Sequence, residues 1–273
     1  MSNKVLSLFI LEGPTDIKFI HRLEQAFLGE RNAIKCAFEG ELYQLYRQIK
    51  DAGVYSLDIV NLLKERNSRN AKLLKGYTRD SFAYTYLFFD YDAHSTCADD
   101  DKLREMLEFF NNDTENGMLY ISYPMVEAIR HYHDFESFRD LTVKCKRART
   151  KDIDKNKCPS VNSCTDIDAC VNEPHYKTLV AKDSDKRLSN MNNFNLSTWK
   201  ELINAHLCKA NYLINNSYTL PNNLISQSDI FNKQLDKYIK QYCPHVAVLS
   251  AFPLFVLDCF GCEFISRKLV DRV

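Results

Sequence analysis

Two short apolar runs, each ending on a carboxylate, constrain this chain more than any other feature. Val5 to Leu11 (VLSLFIL) runs into Glu12, and Ala83 to Phe89 (AYTYLFF) runs into Asp90. Near-continuous apolar segments of this length read as strands buried on both faces, as in a parallel sheet. Gly13-Pro14 breaks the first run, and Ile17, Phe19, Ile20, Leu23 and Phe27 then form a helical apolar stripe. Ala33 to Phe38 reads as a second strand. Leu42 to Leu63 reads as a helix in two pieces, interrupted near Gly53. Three aspartates introduce a helix over Leu103 to Phe110, where they suit its positive end. Asn116-Gly117 turns the chain into a strand over Met118 to Ile121, and a further helix is expected from Pro124. Strand and helix thus alternate from about residue 5 to 140. That order predicts an α/β fold, an open parallel sheet with helices on both faces.

The pattern changes after residue 143. Residues 144–175 are rich in Lys, Asp, Asn, Ser and Cys without periodicity, and read as an insertion or loop. Residues 176–273 read as mainly helical, with segments at 177–189, 196–215 and 226–242. The apolar stretch Val246 to Leu269 is expected to dock back on the core. The expected organisation is a core over 1–143, a basic insertion over 144–175 and a C-terminal region over 176–273 for dimerisation or partner docking.

Basic and acidic side chains balance at 36 each, so nucleic acid would have to be held by a local patch rather than a basic coat. No apolar run reaches the roughly 20 residues that span a bilayer, and the first residues lack a signal-peptide pattern. A cytoplasmic location without membrane contact is expected. Ten cysteines at irregular spacing in a chain of 273 residues read as reduced thiols rather than a disulfide framework.

Open α/β sheets bind ligands outside the carboxyl ends of their strands. Glu12 and Asp90 are placed there, and Asp92 follows two residues after Asp90. Residues two apart on an extended or turning backbone project to one side, so Asp90 and Asp92 can converge on one ion. Such hard oxygen ligands suit Mg²⁺ or Mn²⁺. A carboxylate ending an apolar strand has no evident local duty, and burying it unpaired is costly. Gly13 is expected to permit a tight turn and Pro14 to open the helix. Asp16 fits either a cap on that helix or a place near the metal, and each aspartate of the D-x-D pair could also cap a helix.

The segments Glu12-Gly13-Pro14-Thr15-Asp16 and Asp90-Tyr91-Asp92 resemble the E-G-x-T-D and D-x-D motifs of the Toprim domain. Ile121-Ser122-Tyr123-Pro124-Met125-Val126-Glu127-Ala128 is similar to the Ser-x-Pro-x-Phe-Glu segment of RloB-like proteins and of AriB-type anti-phage effectors. The likeness covers roughly the first half of the chain. It implies divalent-metal phosphodiester chemistry, as in the topoisomerases, primases, ribosomal-RNA maturation ribonuclease and overcoming-lysogenization-defect nucleases that share the domain. Glu12 would be a metal ligand or general base, and Asp90 and Asp92 metal ligands. Glu127 would complete the acidic cluster, or else pair with an arginine or cap its helix.

His94 is close enough in sequence to act on a phosphate or a water, although a loop histidine without a duty is the commoner case. His131 and His133 are two apart on the expected helix and should face different sides. Lys144, Lys146, Arg147 and Arg149, continued by Lys151, Lys155 and Lys157, form a basic stretch of net +5 against Asp152 and Asp154. It suits a phosphate-binding arm or a solvated loop. Cys145, Cys158, Cys164 and Cys170 could hold structural zinc, although the paired spacing of such a site is missing, and Cys259 and Cys262 read as buried free thiols.

The resulting expectation is a Mg²⁺- or Mn²⁺-dependent endonuclease, the toxic effector of an anti-phage defence system acting on DNA or RNA, tRNA included. The chain lacks a G-x-x-x-x-G-K-[ST] loop, so the likeness places ATP hydrolysis in a partner ATPase of ABC or SMC-like type. A homodimer is expected. The alternatives are a housekeeping RNA-processing Toprim nuclease and a non-catalytic binding subunit.

Overall fold

The computed structural model describes residues 5–29, 32–53, 58–93, 95, 97–144, 175–241 and 244–270. They form an α/β protein with a five-stranded, mostly parallel sheet and a mainly helical C-terminal half. The chain divides into two compact units, residues 1–90 with 99–121, and residues 91–98 with 122–273. The expected core ran on to residue 143; the first unit ends at Ile121.

In the first unit the sheet order is β2-β1-β3-β5-β4. Strands β1 (Ser7–Leu11), β2 (Ala33–Ala37) and β3 (Tyr84–Asp90) are parallel, with β1 between the other two. All five β1 residues are buried, and six of the seven β3 residues. Burial on both faces is what their unbroken apolar sequence demands. Phe9 packs on Tyr86 and Phe88 from the neighbouring strand, with centroids 5.2 and 6.2 Å away. Strand β5 (Gly117–Ser122) pairs with the two-residue β4 (Asn111–Asn112) antiparallel, so one edge departs from the expected all-parallel sheet. Gly117 has φ 121°, and a Cβ there would meet Leu87 Cδ1 at 2.6 Å, so glycine is required at that turn.

Helix α1 (Pro14–Leu23) follows β1 and continues as a π-helical turn to Leu28. Helices α2 (Leu42–Ala52) and α3 (Ile59–Arg66) are the two expected pieces, and Gly53 at φ 78° ends the first. Asp58 caps α3, Asn67 caps α4 (Ser68–Leu73) and Asp99 caps α5 (Asp100–Phe109), each side chain accepting backbone N–H bonds.

In the second unit, the helix expected from Pro124 is replaced by a 3-10 turn over Val126–Arg130 and a short helix, α6 (Phe135–Asp140). Tyr123 exchanges backbone hydrogen bonds with Leu249 at 2.8 and 2.9 Å, which holds the chain in a bridge ahead of the turn. Asp134 then caps a fresh helix. Strands β6 (Thr142–Lys144) and β7 (His245–Ala247) form an antiparallel pair absent from the sequence reading. Helix α7 (Tyr176–Asp183) stops short of the expected residue 189, with a separate 3-10 turn at Lys186–Leu188; α8 (Leu196–Asn215) matches its expected segment, and α9 (Gln227–Gln234) runs into a π-helical turn to Ile239. Helix α10 (Ala251–Val270) is kinked at Gly261, φ 73°, and its first seven residues are buried. The described cysteines Cys36, Cys97, Cys208, Cys259 and Cys262 are free thiols. Cys259 and Cys262 flank the kink and are half-buried rather than buried, because the helix leaves the core there. No helix among the described residues is long and apolar enough to cross a membrane.

Candidate metal centre

At the carboxyl edge of the sheet, Glu12 is the residue after β1. Its N–H donates to Phe88 O on β3 at 3.0 Å, and its carbonyl accepts from Glu39 N–H at 2.9 Å. The main chain of Glu12 therefore extends both ladders by one residue. Its side chain turns to the same edge and accepts the Asp90 N–H at Oε2, 2.9 Å away. This bond ties a carboxylate at the end of one strand to the backbone of a carboxylate residue at the end of its neighbour. Asp90 is 6% exposed and Glu12 is half-buried. The expectation that Glu12 has no local duty is corrected: it holds the β3 terminus by a charge-assisted hydrogen bond.

Two neighbours of Glu12 act locally. Asp16 is buried in the first turn of α1, and its Oδ2 accepts the Gly13 N–H at 3.2 Å, so of the two readings the cap is the observed one. Gly13 has φ −147° and ψ −179°, extended backbone open to any residue, and a Cβ there would meet Asp16 Oδ2 at an ordinary 3.8 Å. The chain does bend at Glu12 and Gly13 between β1 and α1, but that bend requires no glycine. Pro14 does open the helix.

The remaining expected site residues lie in the second unit or outside the described residues. Asp92 is 8% exposed and has left-handed backbone at φ 44°, and its backbone carbonyl accepts Ser95 N–H at 3.0 Å. Of the extended and turning backbones considered for Asp90 and Asp92, the turning one is observed, in a conformation that aspartate tolerates better than most residues. Glu127 is 5% exposed and sits in the 3-10 turn rather than at the start of a helix. Its Oε1 is 3.5 Å from Lys177 Nζ, a lysine where an arginine was considered, and its Oε2 is buried without a hydrogen bond among the described residues.

His131 and His133 have different surroundings, as expected, although no helix carries them. His131 is buried with Nδ1 3.0 Å from Tyr176 Oη, and burial pushes its pKa down to about 4. His133 lies 3.2 Å from Asp134 and is largely exposed. Lys144 closes β6 opposite His245. His94, Lys146, Arg147 and Arg149 lie outside the described residues, as do Cys145, Cys158, Cys164 and Cys170.

Among the described residues, no three His, Cys, Asp or Glu side chains stand together as a preformed metal cage. Mg²⁺ seldom uses one: it is held by one or two carboxylates, retained waters and substrate phosphates. Carboxylate oxygens at two adjacent strand ends, Glu12 and Asp90, are a donor set of that kind. Sequence reading missed Lys177 beside Glu127, a contact between residues 50 apart with no local signature. No family model matches the chain, and no curated protein or solved structure matches it.

Proposed function

We propose that the chain is a divalent-metal-dependent nuclease of Toprim type that cleaves phosphodiester bonds in DNA or RNA. The reading rests most on one observation. Glu12 and Asp90 end adjacent parallel strands, and the Glu12 carboxylate is fixed by the Asp90 N–H. The motif likeness of Glu12, Asp90, Asp92 and Glu127 supports the same chemistry.

On this reading Glu12 and Asp90 would hold Mg²⁺ or Mn²⁺, which would polarise the scissile phosphate, and the motif likeness alone assigns Asp92 the same role. The hydrogen bond from Asp90 N–H limits the rotation of the Glu12 carboxylate and so lowers the cost of orienting it. Glu12 serves as ligand or takes the proton of the attacking water, and Glu127 adds negative charge. His94 is assigned to proton transfer near neutral pH. Lys144, Lys146, Arg147 and Arg149 bind the nucleic-acid backbone as point charges. The protein is assigned to the cytoplasm as the toxic effector of an anti-phage system, dimeric and restrained by a partner ATPase.

Cleavage of DNA, structured RNA and tRNA with Mn²⁺ tests this directly. Wild type should cut at least one of these, and Glu12→Ala should lower the rate by at least about a hundredfold, the scale of removing one electrostatic catalytic group. Equal behaviour of the two proteins on all three substrates removes the nuclease assignment.

A further inference from the structure

We infer that Arg66 is a positioning residue for Glu12, acting through the chain turn that leaves β2; the inference rests on the metal site proposed above. Three successive carbonyls at this exit accept side-chain donors from α3 and α4. Asn70 Nδ2 donates to Ala37 O at 2.8 Å. Arg66 donates from Nε to Phe38 O, and from Nη2 to Glu39 O at 3.0 Å and to Gln44 Oε1 at 2.8 Å. The guanidinium also lies over the Phe38 ring, 3.7 Å from its centroid. Planar, multi-donor and stacking, this is a site that lysine cannot reproduce.

The other side of the same turn is bonded to β1. Phe38 N–H donates to Leu11 O at 2.7 Å, and Glu39 N–H to Glu12 O at 2.9 Å. Glu39 makes the second bond from a left-handed backbone, φ 55°, which a glutamate adopts only when its surroundings hold it there. Arg66 and Asn70 supply that restraint. Gly40 completes the arrangement, since a Cβ at this position would overlap both the Arg66 guanidinium and the Gln44 side-chain amide. Glu39-Gly40 is therefore shaped around Arg66, and its product is a fixed N–H donor to the carbonyl of Glu12, the residue whose carboxylate stands at the metal edge. A polar pocket lined by Glu39, Gln48, Leu62, Glu65 and Arg66 adjoins the turn, so the guanidinium is reached from solvent as well.

The test compares wild type with Arg66→Lys and with Gly40→Ala, the second changing Arg66 only through its packing. Amide hydrogen exchange reads the turn, and Mn²⁺ titration followed by electron paramagnetic resonance reads the site. Both variants should exchange the Glu39 amide about tenfold faster, the scale of one lost charged hydrogen bond, with Leu87 in β3 unchanged. Both should bind Mn²⁺ about tenfold more weakly, as outer-shell changes do. Faster Glu39 exchange with unchanged Mn²⁺ affinity overturns the positioning role and leaves the metal site standing. A wild type that binds no Mn²⁺ overturns the metal-site reading itself, and the inference with it. A uniform rise in exchange across β1 and β3 in both variants assigns Arg66 to general stability and also overturns it.

Discussion

Asp16 shows how a single carboxylate beside a proposed site is given a structural task. Its Oδ2 accepts the N–H of Gly13, the residue before α1, 3.2 Å away. Loss of such a cap costs roughly 1 kcal/mol. Asp16→Ala should therefore lower the unfolding free energy from urea titration by about that amount, while Asp16→Asn keeps most of the stability. A variant with unchanged stability but abolished Mn²⁺ binding would instead place Asp16 among the ligands. Glu12 is the opposite case. Its carboxylate contributes one hydrogen bond to a strand end, so Glu12→Gln can retain the fold and still lose the charge. The placement of Glu12 and Asp90 at strand ends was legible in the sequence because each residue directly follows an apolar run; the bond between them was not. The roles of Gly13 and Asp92 were not. Backbone φ values at strand exits depend on what the next element packs against, and nothing within a few residues reports that.

At the scale of elements, α8 carries an unusual load of buried bases. His206 is fully buried, its Nδ1 accepts Ser250 N–H at 3.1 Å, and burial pushes its pKa down to about 3. Lys209, one turn on, is buried over the Phe138 ring with Nζ 2.5 Å from Leu141 O, and burial drives its pKa well below the ordinary lysine value. Both histidines, His131 and His206, thus have folded pKa values below their unfolded value of 6.5. Above pH 6.5 they are neutral in both states and neither contributes pH dependence. As pH falls from 6.5 toward 4, the unfolded chain takes up protons that the folded chain refuses, so stability declines. Each histidine adds at most about 1.4 kcal/mol per pH unit across that window. Urea unfolding across it should show this slope, and His206→Asn, whose amide oxygen can still accept Ser250 N–H, should remove one histidine's share. An unchanged slope in His206→Asn would mean that the buried ring takes up a proton in the fold.

The same helix shows what periodicity reads well. The segment 196–215 was expected and α8 spans Leu196–Asn215, started by an Asn195 cap and ended by Asn216 in the left-handed conformation at φ 56°. Long amphipathic segments with polar caps carry their limits locally. Strand β4 and the β6–β7 pair were missed because two or three residues give no period, and their pairing partners lie up to about a hundred residues away. The Arg66 clamp escaped for the same reason, bonding a carbonyl 28 residues earlier in the chain.

Over the whole molecule, charge is balanced, so any grip on nucleic acid must be local. If Lys144, Lys146, Arg147 and Arg149 form that grip, binding should weaken steeply as salt rises, and replacing any one by alanine should reduce the logarithmic salt slope by about one. A slope unchanged in all four variants would move the contact elsewhere. The central claim is the metal site at the sheet edge, and direct Mn²⁺ binding to the full chain tests it most plainly. Calorimetric titration should show Mn²⁺ bound by wild type, competed by Mg²⁺, and bound at least about tenfold more weakly by Asp90→Asn and Glu12→Gln at unchanged thermal stability. Equal binding by all three proteins, or none by wild type, would contradict it.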